Sequence, residues 1–327
     1  EQSFSVDLDA GTHTLRWTAW GHIYDNSPFG FATLDRLALS ELPPRVWFVT
    51  NQQAVAENGG TIPVAVQLER PCGEPVTVST PFGEHSGPIV RTRWAHTNIV
   101  LLNRHGLGHA LGPSAVNYRA NIYALKALGC THVIASGAVG SLREEVAPRH
   151  LVVPDQIIDK THRRRGTFFE QYLAAHVELA SPFCPVLRKH LLDCGDAVDT
   201  AVHDGGTYVC MEGPAFSTRA ESEMHRQWGG DLIGMTLMPE AKLAREAEIA
   251  YAAVCLVSDY DCWRPAPGDL DRHELLKEII GHLSAATANA LTLIKTAVER
   301  FERIADKPSP AHSALEMAIW SDRASIP

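Results

Sequence analysis

The sequence predicts an α/β fold: a parallel or mixed central β-sheet with helices on both faces, three layers in all, preceded by a small all-β N-terminal segment. Three observations predict it. From Thr80 onward, strand-sized apolar runs alternate with stretches of helical period, the pattern of a sheet flanked by helices. The longest compact apolar run, Tyr251–Val257, is the length of one strand. Over residues 1–79 no helical period survives three turns, and short strand-like runs are punctuated by turn signals instead.

In that first segment the strand-like runs are Ser3–Leu8, His13–Trp17, Val46–Thr50, Thr61–Leu68 and Val76–Ser79. Turn signals at Asp9–Gly11, Asn26–Gly30, Pro43–Pro44, Glu57–Gly60 and Pro71–Gly73 separate them, a pattern of the β-sandwich kind. Beyond it, Asn98–Leu102 reads as a strand, and Asn117–Leu128 as a helix because Tyr118, Ile122, Leu125 and Leu128 recur at helical spacing. His132–Ser136, Thr207–Met211, Asp231–Met235 and Ala250–Ser258 read as strands, with Thr218–Trp228 and Met238–Glu248 as helices between them. Arg272–Arg300 keeps one apolar face through Leu276, Ile280, Leu283, Leu291, Ile294 and Val298.

The chain has 327 residues, enough for about two domains. Its apolar fraction of 45% and charged fraction of 20% are those of a globular protein. A net charge of −9 argues against nucleic acid as partner, since that binding rests on excess Lys and Arg. No apolar stretch approaches the ~20 residues that span a bilayer, and no signal peptide is read at the start. None of the seven cysteines stands at C-x-x-C spacing. Six of them (all but Cys72) read as reduced structural side chains, which points to a cytoplasmic setting. No His or Cys spacing suggests a metal, and no cofactor is expected.

In such sheets, ligands sit at the carboxyl ends of the strands. Five motifs stand there: N-R-H-G-L-G-H at 103–109, S-G-A-V-G-S-L at 136–142, E-G-P-A-F-S-T-R-A-E-S at 212–222, T-L-M-P-E at 236–240 and S-D-Y-D-C-W at 258–263. The small residues at 136–141 read as a loop whose amides approach an anion, and Arg104 supplies a planar fork for phosphate oxygens. Taken alone, each motif reads equally as a solvated loop with a helix cap, Ser217 or Thr218 serving as the cap.

Together with P-S-A-V-N-Y-R-A-N-I at 113–122, V-P-D-Q-I-I-D-K-T at 153–161 and P-F-C-P at 182–185, these segments resemble the S-methyl-5′-thioadenosine phosphorylase family, from T-P-F-G at 80–83 to the tail. The resemblance implies a phosphorylase-type fold over 80–327 and phosphorolysis: phosphate attacks the anomeric carbon, releasing adenine and 5-methylthioribose 1-phosphate. That chemistry needs a held phosphate, a pinned ribose and a proton donor at purine N7. By resemblance, Arg104 and His105 grip phosphate with Ser136, Gly137 and Ala138, and His109 shares their loop. Met235 packs under the ribose beside Thr236. Phe216 stacks on the base with Ser217 at its edge. Asp259, preceded by Ser258, is the acid, and Asp261 reads the 6-amino group. His176 approaches the 5′ substituent from a neighbouring subunit of a homotrimer. Phosphate is a co-substrate, and the expected partners are small molecules and further copies of the chain.

The sequence departs from the family at its start. Members open with an apolar strand and a glycine-rich phosphate loop some twenty residues before T-P-F-G. Here Gly59–Gly60–Thr61 follows A-V-A-E-N, and residues 46–79 resemble the first half of a Calx-β repeat. Residues 1–42 look like the end of a secreted β-sandwich. Gly137 also stands where many members carry Ser or Thr. Three readings follow: a methylthioadenosine phosphorylase; a phosphorylase fold that binds nucleoside with impaired catalysis because its phosphate loop is missing; and an extracellular β-domain binding protein.

Overall fold

The computed structural model describes residues 13–16, 30–32, 54–56, 61–64, 73–170, 173–264 and 272–320. Four short strands belong to the N-terminal segment: β1 (His13–Arg16), β2 (Gly30–Ala32), β3 (Ala54–Ala56) and β4 (Thr61–Val64). β1 pairs antiparallel with β4, and β2 with β3, so these four strands pair among themselves. Ser3–Leu8, Val46–Thr50, Gly59, Gly60 and Cys72 lie outside the described residues. β5 (Glu74–Val76), β6 (Ile89–Trp94) and β7 (Thr97–Leu102) form an antiparallel three-stranded sheet that bridges position 80.

Then come helix α1 (Tyr118–Ala127), β8 (His132–Ser141), β9 (Leu151–Val153), β10 (Gln156–Asp159) and helix α2 (Pro185–Leu192). β11 (Val202–Asp204), β12 (Thr207–Cys210), helix α3 (Arg219–Gln227), β13 (Leu232–Gly234), helix α4 (Leu237–Glu246), β14 (Ala250–Asp259) and helix α5 (Arg272–Glu299) complete the order. Strands β8 to β14 make one mixed seven-stranded sheet in the order β10-β12-β13-β8-β14-β9-β11. β8 runs parallel to β14 and antiparallel to β13.

β14 shows why the layers form. Its residues are buried from Ala250 to Ser258. Tyr251, Ala253, Cys255 and Val257 enter a core with Ile122 and Leu125 of α1 and Leu243 of α4. Ala250, Ala252, Val254 and Leu256 enter the opposite core with Leu187 and Leu191 of α2 and Ala290 and Leu293 of α5. Period-two alternation across a strand thus supplies two cores at once, and the three-layer α/β reading holds.

Local signals set the helix starts. The Asn117 side chain accepts from the Ala120 amide and opens α1. Thr218 and Glu221 form a capping box that opens α3.

The S-G-A-V-G-S segment differs from expectation. It is not a loop after a strand but the second half of β8, which runs through Ser136, Gly137 and Ala138 in register with Val254, Cys255 and Leu256 of β14. Cross-strand pairing with a long neighbour carries the strand through two glycines that weaken its local signal.

β8 differs from β14 in its surroundings. It meets β13 only at Gly140 and Ser141, and β7 pairs with β6 alone among the described strands. The starts of β7 and β8 both lie near the end of α5, where Thr97 Oγ1 donates to Val298 O and the His132 ring meets Phe301. Their far ends meet where Arg104 donates to Ser136 O. A cavity of about 860 Å³ runs between the two strands, walled by Val100, Leu102, Ile122, Leu125, Ile134 and Leu291 and reaching Arg104 and Ser136–Ala138.

Candidate active site

β8 is the line along which the predicted residues meet. At Ser136, the Arg104 Nη1 donates to the backbone carbonyl at 3.2 Å. At Gly137, a β-carbon would stand 3.6 Å from Thr236 Oγ1. At Val139, the carbonyl accepts from Ser258 Oγ at 3.2 Å. At Gly140, a β-carbon would come within 3.1 Å of Asp259 Oδ1 and 3.2 Å of Asp261 Cβ. Glycine is therefore what admits both aspartates against the strand. Ser136 to Gly140 spans about 13 Å at the usual rise per residue.

The register between β14 and β8 shifts at Ser258: Val257 lies opposite Val139, but Asp259 lies opposite Gly140. Such a bulge re-aims the side chain that follows it. Asp259 emerges with Oδ2 accepting from Ser258 Oγ at 2.6 Å and Oδ1 accepting from the Asp261 amide at 2.7 Å. Its pKa is raised. Burial is the main cause, and the Asp261 carboxyl acts in the same direction against those two hydrogen bonds. Asp261, at φ 51°, holds a buried Oδ2 with no hydrogen-bond partner.

The loop after β12 lies beside them. Ser217 O accepts from Cys262 Sγ at 3.2 Å, and Phe216 is 82% exposed, leaving its ring face open. Met235 follows β13, and its Sδ stands 2.6 Å from where a β-carbon on Gly213 would be, so glycine at φ 67° lets the two loops close on each other.

The anion end is more heavily engaged than the sequence suggests. The Arg104 fork lies on Glu240, Nε to Oε2 at 2.6 Å and Nη2 to Oε1 at 2.8 Å, and Tyr251 donates to the same carboxylate. Burial works against the guanidinium charge, but Glu240 outweighs it and keeps Arg104 protonated. His105 Nδ1 lies 2.8 Å from Leu111 O; a carbonyl only accepts, so that nitrogen carries the proton. Its buried Nε2 has no partner. Burial, with Arg104 and His109 nearby, pulls its pKa down to about 4, so the ring is neutral near pH 7 and Nε2 offers a lone pair. His109 stacks on it at 4.1 Å.

His176 stands apart from this line. It is exposed, packs its ring on Trp320 at 4.9 Å and hydrogen-bonds through its amide to Ala318. Among the described residues no group of three or more His, Cys, Asp or Glu could hold a metal ion, and no helix is long and apolar enough to cross a membrane.

Sequence reasoning missed Glu240, Glu212 and Arg164. Glu212 accepts from Ser114 Oγ and from the His162 amide, and these bonds lower its pKa despite partial burial. Arg164, between β10 and the next helix, turns inward onto the loop carbonyls. No local signal marks them: Arg164 stands in a run of three arginines, and Glu212 and Glu240 stand in loop and helix-start motifs.

A model of the Phosphorylase superfamily matches residues 60–299. The S-methyl-5′-thioadenosine phosphorylase of Geobacter sulfurreducens is 47% identical over 253 residues, covering 77% of this chain and 86% of that protein. The enzyme of that name from Gloeobacter violaceus is 45% identical over 256 residues, covering 77% and 84%. Among solved structures, a methylthioadenosine phosphorylase from an antarctic soil metagenomic library is similar at TM-score 0.73 and 43% identity, over 79% of this chain and 89% of that one. Methylthioadenosine phosphorylase from Schistosoma mansoni, in complex with adenine, is similar at TM-score 0.65 and 34% identity, over 70% and 86%.

Proposed function

The chain belongs to the phosphorylase superfamily, and from that premise we propose that it catalyses phosphorolysis of S-methyl-5′-thioadenosine to adenine and 5-methylthioribose 1-phosphate, as a pentosyltransferase. The observation that carries this reading is the aspartate pair at the end of β14. Asp259, its pKa raised by burial, is the acid that gives a proton to N7 of the departing base. The unpartnered Oδ2 of Asp261 accepts a hydrogen of the 6-amino group. Phe216 and Ser217 cover the base, with Met235, Thr236 and Ser258 toward the ribose.

Phosphate binds at the Ser136 end. Arg104 supplies the N–H groups that Glu240 and Ser136 leave over, and neutral His105 accepts the phosphate's own hydroxyl hydrogen at Nε2. The amides of Ser136, Gly137 and Ala138 and the neighbouring His109 complete this end. With the base end and the phosphate end about one strand segment apart, the ribose lies between them with its anomeric carbon against the phosphate, the orientation that converts a bimolecular step into a unimolecular one.

We assign this chemistry to 80–327, take 1–79 as a β-rich segment whose last strand, β5, pairs into the sheet of β6 and β7, and place the enzyme in the cytoplasm. A homotrimer, in which His176 serves a neighbour's 5′ substituent, is supported by the exposed Met317 and Trp320 around it. Light scattering that gives a monomer removes that part. The assay for the whole is phosphate-dependent release of adenine from methylthioadenosine; no release by folded protein overturns it.

A second reading is favoured by one observation: the cavity beside Ser136–Ala138, where no described strand of the N-terminal segment joins the seven-stranded sheet. It predicts nucleoside binding with weak phosphate affinity and slow turnover. Phosphate binding as tight as nucleoside binding dismisses it.

A further inference from the structure

We propose that Arg164 is the positioning residue that sets the nucleoside half of the site while leaving the phosphate half alone. The proposal rests on the phosphorylase reading for the identity of the ligands.

The Arg164 side chain is 1% exposed and touches none of the residues assigned to reacting atoms except through their backbone. Nη1 donates to Met235 O and to Met238 O, each at 2.6 Å, with Tyr118 Oη at 3.3 Å. Nη2 donates to Glu212 O at 2.6 Å, with Met211 O at 3.4 Å. Nε lies 3.7 Å from Glu212 Oε1, and the guanidinium carbon stands 5.5 Å from the Tyr118 ring centroid.

One cation thus gathers the end of β12, the end of β13 with the start of α4, and the first residue of α1. Carbonyls at strand ends have left the ladder and need donors. A planar guanidinium supplies five donors from three nitrogens in a fixed fork, whereas an ammonium supplies three from a single nitrogen and cannot reach both loops with the same geometry. The two loops it joins carry Phe216 and Ser217 on one side and Met235 and Thr236 on the other. Arg104 is held by other groups, Glu240 and the Ser136 carbonyl, and Glu240 is separately tied to Tyr251. Glu240 lies two residues after Met238 on α4, but its tie to Tyr251 of β14 anchors it separately, so a loosened Arg164 cluster moves the base and ribose contacts more than the phosphate end.

The test is binding by titration calorimetry of methylthioadenosine and of inorganic phosphate to wild type and Arg164→Lys. Nucleoside affinity is expected to weaken about tenfold to hundredfold while phosphate affinity changes less than about twofold, since a displacement on the order of 1 Å is costly in a preorganised site. Guanidinium ion added to Arg164→Gly is expected to restore nucleoside affinity in part with phosphate affinity unmoved throughout, whereas a merely structural loss would move both. Folded Arg164→Lys with unchanged nucleoside affinity, or with both affinities weakened alike, overturns the proposal. Should Arg164→Lys fail to fold, Glu212→Gln removes the countercharge instead. The same one-sided loss is expected, and unchanged nucleoside affinity overturns the proposal. The readout is binding, so failure of wild type to turn substrate over counts against the functional reading and leaves this test standing.

Discussion

β8 and β14 are neighbouring parallel strands of ten residues each, yet one is core and the other is site. β14 pairs with β9 on its second edge only at Cys255 and Leu256, but it carries an apolar layer on both faces, so its first nine residues are buried. β8 likewise has β14 along one edge and β13 at two residues of the other, but it borders the cavity, and its middle residues are half-buried. The difference teaches that a strand's burial belongs to its neighbours as much as to its own side chains. Polar groups at the ends of β14 and along β8 come together because β8 keeps one side free for them.

The comparison can be broken in four places. The largest effect is expected at the end of β14: Asp259→Asn should lower kcat/KM by about a thousandfold, the size of a general-acid contribution. Wild-type activity should also fall as pH rises through the raised Asp259 pKa, because the acid form is lost there. A pH–rate profile of wild type and variant checks both, and a variant with near-normal activity would break the assignment.

Next is packing. Leu256→Ala on β14 should cost about 3 kcal/mol of stability, and Ile134→Ala on β8 about half of that, because Leu256 is buried and Ile134 only half-buried. Urea unfolding of the two variants measures the pair, and equal losses would refute the contrast between the strands. Amide exchange should agree, with β14 protected well beyond residues 133–138.

Third is His105. Its folded pKa of about 4 lies below the ordinary value of 6.5, so the fold favours the neutral ring. The stability this contributes is present above pH 6.5 and is lost as pH falls from 6.5 toward 4, up to about 3 kcal/mol. Thermal melts across that range should show a smaller drop for His105→Gln than for wild type.

The smallest effect is at Gly137. A β-carbon there meets nothing closer than Thr236 Oγ1 at 3.6 Å, so Gly137→Ser fits and adds a hydroxyl at the phosphate end. Phosphate KM should drop by about tenfold at most, with nucleoside KM unchanged. A rise in phosphate KM would mean that the cavity side of β8 is not the phosphate side.

Much of this was legible in the sequence, for physical reasons. Helices α1, α3 and α5 announce themselves by period and, for two of them, by Asn117 and Thr218 at their caps. β14 announces itself by length. β8 was read as only half its length, since Gly137 and Gly140 carry no strand signal of their own and are held extended by β14. The aspartates and Arg104 were legible as strand-end residues, whereas Glu240 and Arg164 were not: their roles arise from contacts 136 and 71 positions away along the chain. No local pattern encodes such a partner.

The extra residue at Ser258 has a consequence for how this site tolerates change. Up to Val257 the chain spends its side chains in strict alternation on two cores, a scheme that leaves no position for a working carboxyl. One inserted residue resets the count, so the frame depends only on a residue being present at 258, while the hydrogen bond to Asp259 depends on its being Ser. The information is carried by length. Exchanging Ser258 for another small residue keeps the frame, while deleting it moves every following group, both aspartates included, out of phase with the strand that brings them together.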